Sequence, residues 1–210
     1  MQWIAMITML IDHIGVVFFP DYIIFRLIGR IAFPLYAYLA VLGYQRTTNF
    51  RNYFIRLVIL ALIAQLPFQL AFNTIGINVI GTLAISIAVI KCIDHFRHKP
   101  WLFGSIVILA ALVLDSFPFD YGMYGLILMI IYRYLLHKPS IALLAHLALE
   151  IFSLTFYKWG IQSLSVLVTL YLIYNQQGVK FLDRIRAPKW LWRLFYPIHL
   201  IILYIIVRFM

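Results

Sequence analysis

The stretch MLIDHIGVVFFP, residues 9–20, decides how the chain is read. Its Asp12 and His13 stand in a run that is otherwise almost wholly apolar, and residues 1–19 hold no other ionisable side chain. The same balance extends outward. Of 210 residues, 65% are hydrophobic and 11% charged, against roughly 25% charged in an ordinary soluble domain. Several apolar runs reach the ~20 residues that cross a bilayer. The start lacks a basic n-region and a small-residue cleavage site, so it reads as a first span and not as a signal peptide. The expected fold is all-α: a polytopic transmembrane helical bundle in a single domain, residues 1–210.

Hydropathy and breakers give about nine spans, near 2–19, 23–44, 51–72, 77–94, 101–117, 122–137, 140–157, 161–175 and 192–209. Short connections make neighbours antiparallel. The net charge of +10, from 17 Lys and Arg against 7 Asp and Glu, would suggest nucleic acid in a soluble protein. Here it is spread over alternate loops, so no nucleic-acid partner is expected. One set holds Arg46, Arg51 and Arg56; Lys91, Arg97 and Lys99; Arg133 and Lys138; and Lys180, Arg184, Arg186 and Lys189. The other, around residues 20–21, 73–76, 118–120 and 158–159, holds one Lys and two Asp. The positive-inside rule then puts the N-terminus in the cytoplasm and the C-terminus outside a bacterial cytoplasmic membrane. The segment RAPKWLWRLF, residues 186–195, is basic and aromatic enough to lie partly in the interface. Cys92, His95 and His98 are soft-ligand types, but they read as part of a solvated basic loop, and no metal is expected. Phosphate-binding glycine loops, nucleophile elbows and internal repeats are missing.

Ionisable groups inside spans are costly and usually face the bundle interior. At 1.5 Å per residue, Asp12 lies roughly 12 Å, and Arg30 and Glu150 roughly 10 Å, from the same membrane face. Three helices thus bring charge to one layer. A structural Asp12–Arg30 pair would explain two of these residues, yet an isolated buried pair seldom gains net stability. Arg26, four residues before Arg30, shares its helix face and is shallow enough to snorkel outward. Gly29 permits close helix approach, and Pro34 is expected to kink the second span. His13 cannot be held by its sequence neighbour Asp12, because adjacent side chains diverge on a helix, so another helix should supply its partner. His146 and Glu150 form an i,i+4 pair, and His199 lies near the middle of the ninth span.

The segments LIDHIGVVFFP, LIGRIAFPLYAYLAVLGY, LIAQLPFQLAF, GINVIGTLAI, DYGMYGLILM and FYPIHLIILY follow one another over nearly the whole chain. In that order they resemble the TraX family, named for the conjugative-pilus protein that N-acetylates pilin. The family is similar to integral-membrane acyltransferases that use cytosolic acyl-coenzyme A. The resemblance carries over to Asp12, His13, Gly29, Arg30, Phe33, Pro34, Gln65, Asn78, Tyr121, Gly122, Tyr196 and His199. It departs at Leu42, where many relatives have an acidic residue before the glycine.

The resemblance implies transfer of an acyl group, acetyl first of all, from acyl-coenzyme A to a hydroxyl or amine of a protein, glycan or small molecule at the outer face. His13 would be general base, Arg30 the oxyanion donor, and Asp12 the group that holds Arg30. His199 would position the thioester or act as second acid/base. Arg26, Gln65, Asn78, Tyr121 and Glu150 would line the acceptor side, with Arg184, Arg186 and Lys189 receiving the coenzyme A phosphates. The rival reading is a small proton-coupled transporter or channel, since buried Asp, Arg, Glu and His also make relays. A non-catalytic assembly protein would need only structural ion pairs.

Overall fold

The computed structural model describes residues 1–209. Among them are eleven α-helices, one 3-10 helix and no strand. In order they are α1 (Gln2–Phe18), α2 (Ile23–Gly29), α3 (Ala32–Arg46), α4 (Phe50–Phe72), α5 (Val79–His95) and α6 (Pro100–Ser116). There follow α7 (Gly122–Tyr134), α8 (Pro139–Phe156), the 3-10 turn Gly160–Ser165, α9 (Val166–Tyr174), α10 (Gln176–Arg184) and α11 (Lys189–Phe209). Four helices are long and apolar enough to cross a membrane: Ile23–Arg46 taken through its break, Phe50–Phe72, Pro139–Phe156 and Lys189–Phe209. Gln2–Phe18, Trp101–Ser116, Gly122–Tyr134 and Gly160–Tyr174 are apolar but shorter. The bundle is polytopic, and the count of nine crossings stays an expectation.

The second expected span is broken where a kink was expected. Pro34 has no N–H to give the Arg30 carbonyl four residues back, and its ring crowds that carbonyl. Accordingly α2 ends at Gly29 and α3 resumes at Ala32, leaving Arg30 and Ile31 at the joint. The helix α10 was not foreseen. It is amphipathic with no buried residue, while Lys189–Phe195, expected partly in the interface, forms the first turns of α11.

Loop chemistry sorts the helix ends onto two faces. On the basic face the Met1 amino group donates to the Leu182 carbonyl at 2.7 Å, and Ala187 N–H to Gln2 Oε1 at 2.9 Å. Asp183 of α10 accepts both Arg46 Nη atoms, at 3.2 and 2.8 Å. There too Asp94 gathers Tyr44, Arg133 and Tyr134 from α3 and α7. On the opposite face two backbone bonds, Ile77 N–H to Pro118 at 2.8 Å and Asp120 N–H to Ile77 at 2.9 Å, tie the loop after α4 to the loop after α6.

Apolar side chains leave the bundle at helical spacing, as with Ile59, Ile63, Leu66 and Leu70 of α4 and Ile198, Ile202 and Ile205 of α11. That is the pattern of a lipid-facing surface. Inside, α3, α5, α7, α8 and α9 share one core around Phe33, Leu83, Tyr124 and Leu128. A second core joins α1, α4 and α11 through Met9, Ala64, Phe68 and Leu200. The main cavity lies between the two.

Candidate functional site

A cavity of about 870 Å³ runs the length of the bundle. At the basic face its walls are Gln2, Arg46, Tyr53, Asp183 and Arg186. At the opposite face they are Asp12, His13, Arg26, Arg30, Asp120, Tyr121, Lys158 and Gln162. Apolar side chains such as Leu39, Leu57, Leu60 and Leu83 line the stretch between.

The polar end is built on the joint between α2 and α3. Asp12 Oδ2 accepts Arg26 Nη1 at 2.8 Å, and the same carboxylate accepts Arg30 Nη2 at 3.2 and 3.4 Å. Gly29 makes this possible, because any Cβ there would collide with the Asp12 carboxylate. Arg26 therefore turns inward onto Asp12 and does not snorkel. Arg30 also donates through Nη1 to Gln162 Oε1 at 3.0 Å, while its buried Nε has no protein partner.

His13 finds the partner expected from another helix. Its Nδ1 lies 2.7 Å from His199 Nε2, and His199 Nδ1 lies 2.6 Å from the Phe195 carbonyl. A carbonyl only accepts, so His199 carries its proton on Nδ1 and presents a lone pair at Nε2. His13 must then donate from Nδ1, which leaves the lone pair of a neutral imidazole on Nε2. His199 is outside the cavity lining, so it holds His13 and does not meet a bound thioester.

Tyr121 lines the cavity in a left-handed conformation, φ 63°, and stacks on Phe33 with ring centroids 3.8 Å apart. The loop before it holds Asp120 half-buried. Burial pushes that carboxyl up to about 6, partly offset by Arg30 and by the Tyr121 N–H.

Other expected site residues go elsewhere. Gln65 donates to the Gly76 carbonyl at 2.7 Å and accepts from Asn78 N–H and Nδ2 at 3.1 and 2.7 Å. Asn78 also donates to the Ala61 carbonyl and caps α5. Both clamp the loop after α4 and stand outside the cavity lining. Glu150 does not meet Asp12 or Arg30. It belongs to a buried knot with Tyr124, His146, Ser153 and Ser165. Of the three basic residues expected to hold phosphates, Arg186 reaches the cavity mouth, whereas Arg184 and Lys189 do not line it. Arg46, Asp120, Asp183 and Gln162 line the cavity and were not singled out as site residues. Gln162, a polar residue at the start of an apolar span, was the readable signal among them.

A polytopic helical bundle with an ion cluster, a histidine pair and a through-going cavity inside it is an integral-membrane protein with a built internal polar site. The chain belongs to the TraX family: the family described as "TraX protein" matches residues 1–207. An uncharacterized protein of Rickettsia prowazekii (strain Madrid E) is 32% identical over 100 residues, a match covering 47% of this chain and 37% of that protein. No solved structure matches the chain.

Two expectations follow from this geometry. Asp12→Asn removes the one carboxylate that both arginines share, leaving the buried Arg30 cation without its direct partner while the partly exposed Arg26 can turn to water, a cost on the order of 3 kcal/mol. Thermal unfolding in detergent should show the Asp12→Asn, Arg30→Gln double variant more stable than Asp12→Asn alone. Asp120 gives a pH dependence. Its folded value lies above the ordinary carboxyl value, so the folded state binds more protons between about pH 4 and 6. Stability should fall as pH rises through that window and level off above it. Asp120→Asn should lack the slope, and a parallel slope in that variant would refute the assignment.

Proposed function

We propose that this protein is a membrane acyltransferase, moving an acyl group, acetyl first of all, from acyl-coenzyme A to a hydroxyl or amine of an acceptor. The observation that carries the reading is the cavity itself. One continuous space joins a basic mouth to a neutral imidazole with a free lone pair and an arginine with an unpartnered buried N–H. Family membership supports it, since TraX is named for pilin N-acetylation. In the proposed orientation the basic face is cytoplasmic, as is the N-terminus, and the C-terminus lies outside.

The donor would enter at the basic face with its phosphates on Arg46 and Arg186. Its pantetheine arm would follow the apolar stretch toward Arg30. His13 Nε2 takes the proton of the acceptor O–H or N–H as that atom bonds to the thioester carbonyl carbon. The oxyanion forms beside Arg30, whose charge and free Nε–H stabilise it. The C–S bond then breaks, and the coenzyme A thiolate takes the proton from His13. Asp12 and Arg26 keep Arg30 in place, and Lys158, Tyr121 and Asp120 flank the acceptor.

Purified protein in detergent, given acetyl-coenzyme A and assayed for free thiol, tests this directly. His13→Gln should lose roughly 10²–10⁴-fold of the rate while folding normally. Arg30→Lys keeps the charge but not the planar fork, so the rate should still drop sharply. Full activity in His13→Gln would end the catalytic reading. Proton flux across vesicles without thioester cleavage would favour a transporter instead.

The donor mouth has its own test, calorimetry with coenzyme A. Losing one charge-assisted contact to phosphate, through Arg46→Gln or Arg186→Gln, should weaken binding roughly tenfold. Arg184→Gln, off the cavity lining, should change it little. Equal effects at all three would mean a diffuse basic surface and no defined mouth.

A further inference from the structure

Arg30 makes one contact that the proposed reaction does not use, the 3.0 Å bond to Gln162. Following it leads away from the cavity. Gln162 Nε2 donates to Tyr124 Oη at 3.2 Å, and Tyr124 Oη donates to Glu150 Oε1 at 2.6 Å. Gln162, Tyr124 and Glu150 are all buried.

The direction of this chain is fixed by chemistry. Arginine has donors only, so Gln162 must turn its carbonyl oxygen toward Arg30. Its NH₂ group then faces Tyr124 and needs a lone pair. Tyr124 can offer one only if its single proton goes elsewhere, and Glu150 Oε1 takes it. Each link therefore donates the same way, from the guanidinium to the carboxylate, and bonds aligned so polarise one another. Local structure supports the arrangement. In a 3-10 helix residues three apart are eclipsed, so Gly160–Ser165 presents Gln162 and Ser165 on one side, against Tyr124. Ser165 Oγ lies 3.0 Å from Tyr124 Oη and donates to Glu150 Oε1 at 2.6 Å. His146 completes the anchor, with Nε2 3.1 Å from the same oxygen and Nδ1 2.6 Å from Thr169 Oγ1.

We infer that Glu150 is a positioning residue for Arg30, acting through Tyr124 and Gln162, which orients the guanidinium at the polar end of the cavity. Asp12 is divided between two arginines, and this chain supplies a second anionic anchor to one of them. The catalytic consequence rests on the acyltransferase reading; the structural linkage does not.

The test uses the full-length protein in detergent. Glu150→Gln removes the charged acceptor of the Tyr124 proton and so weakens the hold of Tyr124 on Gln162, and kcat for thioester cleavage should fall roughly tenfold, the worth of one charge-assisted hydrogen bond, with little change in KM. Tyr124→Phe keeps the ring and should do the same. The exchange variant Glu150→Gln, Gln162→Glu puts the carboxylate directly before Arg30, and Tyr124 can turn its proton toward it. This variant should recover most of the lost kcat and melt above Glu150→Gln alone. Melting of Glu150→Gln, Arg30→Gln and their combination should be non-additive although the two residues do not touch. Additive melting, or an exchange variant no better than Glu150→Gln alone, would overturn the inference. If the unaltered protein cleaves no thioester, the proposed function falls and the melting comparison alone decides the linkage.

Discussion

The shared carboxylate of Asp12 is the constraint on which the polar end of the bundle depends. One anion on α1 receives two cations from α2 and the joint after it, at 2.8 and 3.2 Å. Taking Asp12 and Arg30 out of water, with Arg26 partly so, is costly, and mutual attraction offsets that only when the geometry is close. Every neighbouring choice in the sequence serves that closeness. Gly29 removes the Cβ that would strike the carboxylate, and Gly15 lets α1 approach the Phe25 side chain. The four-residue spacing from Arg26 to Arg30 puts both guanidinium groups on one face. Pro34 ends the helical ladder at Arg30, freeing that residue to reach across to Gln162 as well as back to Asp12. Remove the break, and Arg30 would be one more residue of a continuous helix.

Much of this was legible in residues 1–34, because expensive groups in apolar surroundings are conspicuous. Asp12, His13 and Arg30 stand out against a background with almost no other charge, and helix rise alone places Asp12 and Arg30 at matching depth. The requirement that His13 be held from another helix followed from side-chain directions. What depth could not give was azimuth. Glu150 lies at a depth similar to Asp12 and Arg30, yet it faces Tyr124 and Ser165 and reaches Arg30 only at third hand. Gln65 and Asn78 were expected in the site from the family resemblance, but Gln65 is used up on Gly76 and Asn78, and Asn78 on Ala61 of α4 and the first turn of α5. A polar side chain inside a membrane span has two common employments, satisfying the backbone and meeting a ligand, and sequence does not separate them.

The unforeseen α10 shows a different limit. Its residues are too polar for a span, and a short amphipathic helix has no apolar run to announce it. Its position is set by long-range contacts, the Met1 amine on Leu182 and Arg46 on Asp183, both far apart in sequence. Asp183 in turn is held below the ordinary carboxyl value, chiefly by its bond with Arg46. That ion pair sits at the mouth of the cavity, where the Arg46 side chain is 48% exposed.

The two ends of the cavity therefore place their charges in different media. Around Asp12 the side chains of the carboxylate and Arg30 are only 11% and 12% exposed, so attraction there is little screened and geometry is fixed. At the mouth, Arg46 and Arg186 meet water, where ion pairs contribute little and exchange partners readily. In the proposed reaction this division suits the two tasks. A donor rich in phosphate must be caught and released, which calls for exposed cations whose resident partner, Asp183, is easily displaced. An oxyanion that exists only for an instant must meet a dipole already in place, because reorganising one during the reaction would add to the barrier. The apolar stretch between them keeps the two media apart, and Leu42, which lines the cavity one helical turn before Arg46, puts an apolar side chain where an acid would add a further charge near the mouth.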